Sequence, residues 1–185
     1  MKLTPSGSQT VGPFFRLGLE HLYACVDAAS TEDADLVTIR GKVIDGAGVP
    51  VSDAVLEIWH ADTNGQFNAG EPSANGRPAR FTRAATGDDG AFCLTLARPG
   101  TVASETGRPQ APHIAVLVFA RGLLRHLLTR MYFPGEPANT MDPVLQSIPE
   151  ERRQTLIARA KPDQPGALEW DVVLQGEGET VFFAW

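Results

Sequence analysis

Cysteine is scarce in this chain, with Cys25 and Cys93 the only two among 185 residues. They lack C-x-x-C spacing, and the opening stretch MKLTPSGSQTVGPFF has no apolar core of the kind a secretory signal needs. A reducing cytoplasm is the expected setting. Long apolar runs are missing as well. The longest is broken by Arg121 and Arg125, well short of the about 18 residues that a membrane helix requires. There is no excess of positive charge: a net charge of -6 with scattered Lys and Arg argues against a nucleic-acid surface. Nor is there a G-x-S-x-G elbow, a Walker loop or a Rossmann glycine pattern, so α/β-hydrolase chemistry and nucleotide binding have no support. No internal repeat or low-complexity segment breaks the chain. Small molecules and proteins are the partners left.

What the sequence does hold is enough chain for one domain over residues 1–185, burying about 70% of its unfolded surface without a metal or a disulfide. Residues 1–16, rich in Ser, Thr, Gly and Pro, read as an extended arm, because Pro5 and Pro13 disfavour helix around them. Residues 17–29 suit a short helix or turn. A strand pattern then takes over and defines a core over 36–185. LVTIRGKVID (36–45), AVLEIWHAD (54–62), AFCLTL (91–96) and IAVLVFA (114–120) carry β-branched residues, alternation, or both, between turns such as GAGVPV, TNGQ and DDG. LRHLLTRMYF (124–133), LEWDVVLQG and TVFFAW add further strands. IPEERRQTLIARA (148–160) predicts a helix, with Ser147 and Pro149 at its start, acids in its first turn and arginines later. Many short strands with one or two helices imply an antiparallel β-sandwich.

Few residues offer chemistry. Alternation turns His113 and Ala115 to one face of a strand, where an H-x-H would aim two imidazoles at one metal and this chain has H-x-A. The other histidines, His21, His60 and His126, have no ligand-like spacing, and the only tyrosines are Tyr23 and Tyr132. Asp88 and Asp89 suit the turn they occupy. Glu57, on the face of Val55 and Trp59, fits a structural ion pair as well as an acid–base role. Arg130 stands between Leu128 and Tyr132 at period two, a setting where a cation needs an anion or a carbonyl, so an internal salt bridge and a ligand contact are both open.

Five segments, SQTVGPFF (8–15), LEIWHADTNGQF (56–67), RPQAPHIAVLVFARGL (108–123), LLTRMYFPGE (127–136) and QGEGETVFF (175–183), together resemble the intradiol ring-cleaving dioxygenases. The resemblance implies a β-sandwich and insertion of O2 between the hydroxylated carbons of a catechol. It also implies a non-haem Fe(3+) held by two tyrosines and two histidines. Carried over, the first tyrosine position falls near Phe67, the second near Val102, and the histidine pair at His113 and Ala115. Three of four ligands are absent, so the resemblance implies no metal in this chain, with His113 a remnant. It is strongest with those members that cleave protocatechuate and are built from two homologous chains. In these a beta subunit carries the iron and the partner chain completes the site within a larger hetero-oligomer. On that pattern Thr10, Gly12 and Pro13 line the partner's substrate pocket and Arg130 faces the substrate's carboxylate. No catalytic residue is expected in this chain alone. Two other readings stand beside it: a transthyretin-like binding or interaction module without enzymatic activity, and a self-sufficient dioxygenase with substituted ligands.

Overall fold

The computed structural model describes residues 6–22, 36–67, 81–104, 107–164 and 166–184. Among these residues, nine strands occupy Leu36–Ile44 (β1), Val55–His60 (β2), Phe81–Ala85 (β3), Ala91–Ala97 (β4), His113–Phe119 (β5), Leu127–Tyr132 (β6), Arg159–Ala160 (β7), Ala167–Glu169 (β8) and Val172–Val173 (β9). Three short helices span Pro13–Gly18 (α1), Pro143–Gln146 (α2) and Glu150–Arg153 (α3).

The strands form two sheets. One has the order β4-β1-β8-β7, with β9 also on β1, and the other runs β3-β2-β5-β6. Their inner faces bury a shared core that includes Ile39, Leu94, Leu56, Ile58, Ile114, Val116 and Met131. The sandwich expected from the sequence is therefore present, with one difference. β1 pairs in parallel with both β8 and β9, while the other named pairs are antiparallel. The change of partner happens at Gly41, where an added Cβ would lie 1.7 Å from the carbonyl oxygen of Trp170. Only glycine lets the crossing backbone come so close.

Several local expectations are corrected. The helix predicted over 148–160 is realised as α3 and a 3-10 turn at Gln154–Leu156. Beyond that turn the chain extends, because Ala158 N–H donates to Tyr132 O at 3.0 Å and Ile157 bridges Tyr132 in parallel. Leu156 is meanwhile buried with Ala111, Tyr132, Leu145 and Ile148. Sheet pairing and burial thus outweigh a helical preference worth a few tenths of a kcal/mol per residue. The arm is not extended throughout, since Pro13 opens α1 from an extended Gly12, as proline's fixed φ permits at a first helical position. TVFFAW contributes a single bridge, Leu128 to Phe183, rather than a strand. β3 and β7 were not foreseen. The 23–29 part of the proposed second helix or turn lies outside the described residues. Cys93 is disulfide-bonded, contrary to the reduced thiols expected. Among the described residues, no helix is long and apolar enough to cross a membrane.

Candidate functional site

Alternation along β5 sends Ile114, Val116 and Val118 fully into the core and leaves Ala115, Leu117 and Phe119 partly exposed on the opposite, outer face. Register then builds a row across that face. Ala115 lies opposite Arg130 on β6 and opposite Trp59 on β2, which itself faces Phe81 on β3. The Trp59 and Phe81 rings are 4.4 Å apart, and Trp59 keeps 43% of its surface exposed. Glu57, one step along the same face, accepts from Arg83 Nε at 2.7 Å, which gives it the structural pairing rather than a free carboxylate. Asp89 likewise serves its turn, accepting from Ala91 N–H at 3.0 Å.

At the near end of the row the outer face is closed. His113 is 2% exposed and opposite Tyr132, with ring centroids 5.7 Å apart. Its Nδ1 lies 2.7 Å from the carbonyl oxygen of Ala111. A carbonyl can only accept, so the proton sits on Nδ1 and Nε2 carries the lone pair. Burial, then the positive charge of Arg130, lower the His113 pKa to about 4, against the opposing effects of Ala111 and Asp142. The imidazole is therefore neutral and oriented much as a metal ligand would be. The Tyr132 hydroxyl donates to Asp142 Oδ1 at 3.1 Å, and burial is the main cause of its raised pKa. Asp142, fully buried, caps α2 by accepting from Val144 and Leu145 N–H, while its other oxygen accepts from Ala111 N–H. Sequence reasoning missed Asp142. Its signal is legible in D-P-V at 142–144, an N-cap residue followed by proline.

The loops of the remaining expected ligand positions are stitched to this end. Gly65 has φ +78, and a Cβ there would meet Thr101 O at 1.9 Å, so only glycine seats the 62–66 turn against the 100–102 loop. Gly100 N–H donates to Asp62 O at 2.8 Å, and Val102 pairs with Gln110 through bonds of 3.0 and 2.8 Å. The loops that carry the remaining positions expected from the resemblance are thus tied together, and those positions hold no side-chain donor atoms. Phe67 is half exposed and has no phenol oxygen, Val102 is a buried aliphatic, and Ala115 has no side-chain donor. No group of three or more His, Cys, Asp or Glu suited to a metal occurs among the described residues. Ferric iron, which the resemblance implies for the family, does not fit here. The phenol at hand, Tyr132, is held protonated against Asp142, whereas a tyrosinate ligand must lose that proton.

Arg130 is the unusual member of the row. Its Nη1 donates to Gln110 Oε1 at 2.7 Å and, more weakly, to Tyr132 Oη at 3.5 Å. Both partners are uncharged, and among the described residues Arg130 makes no ion pair, so the internal salt bridge left open by the sequence is not formed there. Thr10, in contrast, lies toward the other end of β5. Its Oγ1 accepts from Gly122 N–H at 2.9 Å, and Phe15 packs on Phe119 at 5.2 Å. Gly12 and Pro13 are exposed beyond this tether. Within the chain, the arm residues and Arg130 are not brought together. A cavity of about 840 Å³ between Arg16, Lys42, Ala84, Phe92 and Arg159 lies where β3 meets the other sheet and gathers none of the predicted site residues.

Residues 12–176 match the model of a family described as Dioxygenase. The chain is 41% identical over 198 residues to the protocatechuate 3,4-dioxygenase alpha chain of Burkholderia cepacia, covering 99% of this chain and 98% of that one. To the beta chain from the same organism it is 29% identical, over 78% of this chain and 66% of the other. Among solved structures it resembles the dioxygenase domain of a dioxygenase carbohydrate-binding protein fusion from Streptomyces sp. SirexAA-E. The TM-score is 0.58 at 29% identity, covering 80% of this chain and 84% of that one. Matched along nearly its whole length, with the sandwich and the histidine strand in place, the chain belongs to the intradiol ring-cleavage dioxygenases.

Proposed function

We propose that this chain is the alpha-type subunit of a protocatechuate-cleaving intradiol dioxygenase, working with an iron-bearing beta-type partner of the same fold. The reaction of the complex is the family's, insertion of O2 between the two hydroxylated carbons of the ring. One observation carries the reading: Phe67, Val102 and Ala115 offer no side-chain donor atom beside the single histidine His113, while the half-buried cation of Arg130, opposite Ala115, pairs only with neutral groups. The higher identity to an alpha chain than to a beta chain supports the assignment. Exposed Phe14, Leu17, Trp59 and Phe67 offer apolar surface for a partner chain.

In this arrangement the chain binds and orients rather than transforms. Arg130 pairs with the substrate's carboxylate, a group remote from the broken bond but needed to aim the ring. Thr10 anchors the arm on Gly122, so that Gly12 and Pro13 project toward the pocket of the partner. The reading includes a cytoplasmic setting. The disulfide at Cys93 makes that testable by thiol titration of protein taken from cells without reductant.

The decisive experiment is co-expression with a beta-type chain. Alone, this chain is expected to be colourless, without stoichiometric iron, and inactive on catechols; about one iron per isolated chain overturns the assignment. In the complex, Arg130→Ala should lower kcat/KM for protocatechuate about 10- to 150-fold, the worth of one charge-assisted pair. Catechol, which has no carboxylate, should be little affected. Equal losses on both substrates, with assembly and iron content intact, would remove Arg130 from carboxylate binding.

A further inference from the structure

We propose that Gln110 is a positioning residue that sets the Arg130 guanidinium and thereby decides how strongly the shared site prefers carboxylated substrates. The inference rests on the reading above, in which Arg130 meets that carboxylate. A guanidinium carries five N–H donors in a rigid fork and accepts nothing. The group facing Nη1 at 2.7 Å must therefore be the amide oxygen of Gln110, not its nitrogen. Tyr132 Oη lies on the same Nη1 at 3.5 Å. With Nη1 engaged on its own chain, the edge formed by Nε and Nη2 is left for a bidentate carboxylate, and the fork can present it in one orientation.

Both holding groups are themselves fixed. Gln110 stands between Pro109 and Pro112 and is paired through its backbone with Val102 in both directions, at 3.0 and 2.8 Å. Tyr132 is fully buried and tied through its hydroxyl to Asp142, which also holds Ala111 N–H, the residue after Gln110. Charge is the second half of the argument. A glutamate at position 110 would form an ion pair with Arg130 and spend its charge inside the chain, whereas glutamine fixes the geometry and leaves the full positive charge for a ligand.

The test uses the complex with a beta-type chain and four variants: Gln110→Ala, Gln110→Glu, Arg130→Ala and the Gln110→Ala/Arg130→Ala double. Two readings are taken. One is the ratio of kcat/KM for protocatechuate over catechol; the other is the dissociation constant of para-hydroxybenzoate by calorimetry, which involves no turnover. Gln110→Ala should weaken para-hydroxybenzoate about 3- to 10-fold and lower the substrate ratio to match, because a fork no longer held gives up part of its charge-assisted pair with the carboxylate. Gln110→Glu, nearly isosteric, should weaken it more than about 10-fold by neutralising the cation. The double variant should bind within about twofold of Arg130→Ala, because the two residues act as one unit.

Losses that add in the double variant, or that fall equally on both substrates, would overturn the inference and make Gln110 a structural residue only. Should Gln110→Ala fail to assemble, wild-type binding by an assembled Gln110→Glu complex overturns it equally. If Arg130→Ala itself leaves the substrate ratio unchanged, the functional reading fails first and takes this inference with it. A discriminating Arg130→Ala beside silent Gln110 variants rejects the inference alone.

Discussion

The two faces of the four-stranded sheet differ in kind. On the inner face Ile58, Ile114, Val116 and Met131 have no exposed surface and pack against the opposite sheet. On the outer face, one residue away along each strand, stand Trp59 at 43% exposure, a small Ala115, and a cation with no carboxylate partner among the described residues. The inner face is complete within one chain, because hydrophobic burial needs only the second sheet. The outer face holds a neutral, oriented histidine and a charge that makes no direct ion pair among the described residues. Such a face makes physical sense when something outside the chain finishes it.

Substitutions that touch one face at a time sharpen the contrast. The largest stability loss is expected from Ile114→Ala, at about 2 to 5 kcal/mol from lost burial and the cavity left behind. Denaturant unfolding measures it, and the substrate ratio of the folded complex should stay unchanged. Next comes acid. The His113 pKa lies at about 4 when folded and at the ordinary 6.5 when unfolded, so the unfolded chain takes up the proton first. The contribution of this residue to stability is therefore present above pH 6.5 and is lost as pH falls from there to about 4, by roughly 3 kcal/mol. His113→Gln, compared with wild type across that range, should remove the slope. An identical pH profile in the two proteins would mean that burial and Arg130 do not hold the imidazole neutral.

Arg130→Ala should cost about 1.5 to 2 kcal/mol of stability, since it removes one short charge-assisted bond to Gln110 and a weak one to Tyr132. Its effect on substrate choice is the large one, the reverse of Ile114→Ala. A loss of 3 kcal/mol or more would place Arg130 with the core rather than with a ligand. The smallest change is expected from Thr10→Val, about 0.5 kcal/mol or less, through loss of the exposed bond from Gly122 N–H. Its readout is faster hydrogen exchange at Gly122, with the sandwich amides unaffected.

Much of this was legible in advance. β1, β2, β4, β5 and β6 lie where β-branched runs, alternation and the flanking turns placed them, because strand preference and the period of two are written into local sequence. The segments that failed are those whose local preference conflicted with a distant partner. Residues 156–158 leave the helix to meet Tyr132, and β3 forms at Phe81–Ala85 because β2 offers it an edge. Around the site, motif order pointed to Phe67, Val102, His113 and Ala115. It did not point to Gln110, Tyr132 and Asp142, since nothing in the spacing of 110, 132 and 142 suggests contact.

The sequence by itself determined the sandwich and the family, both of which are properties of residue type and short-range order. Tertiary structure alone decided what surrounds Arg130. Read along the chain, this arginine fitted an internal salt bridge as well as a ligand contact. Only the register of β5 against β6 sets it opposite Ala115, with Gln110 and Tyr132 as its neighbours. A charge acts through what lies within a few ångströms of it, and those distances come into being only when strands far apart in sequence pair.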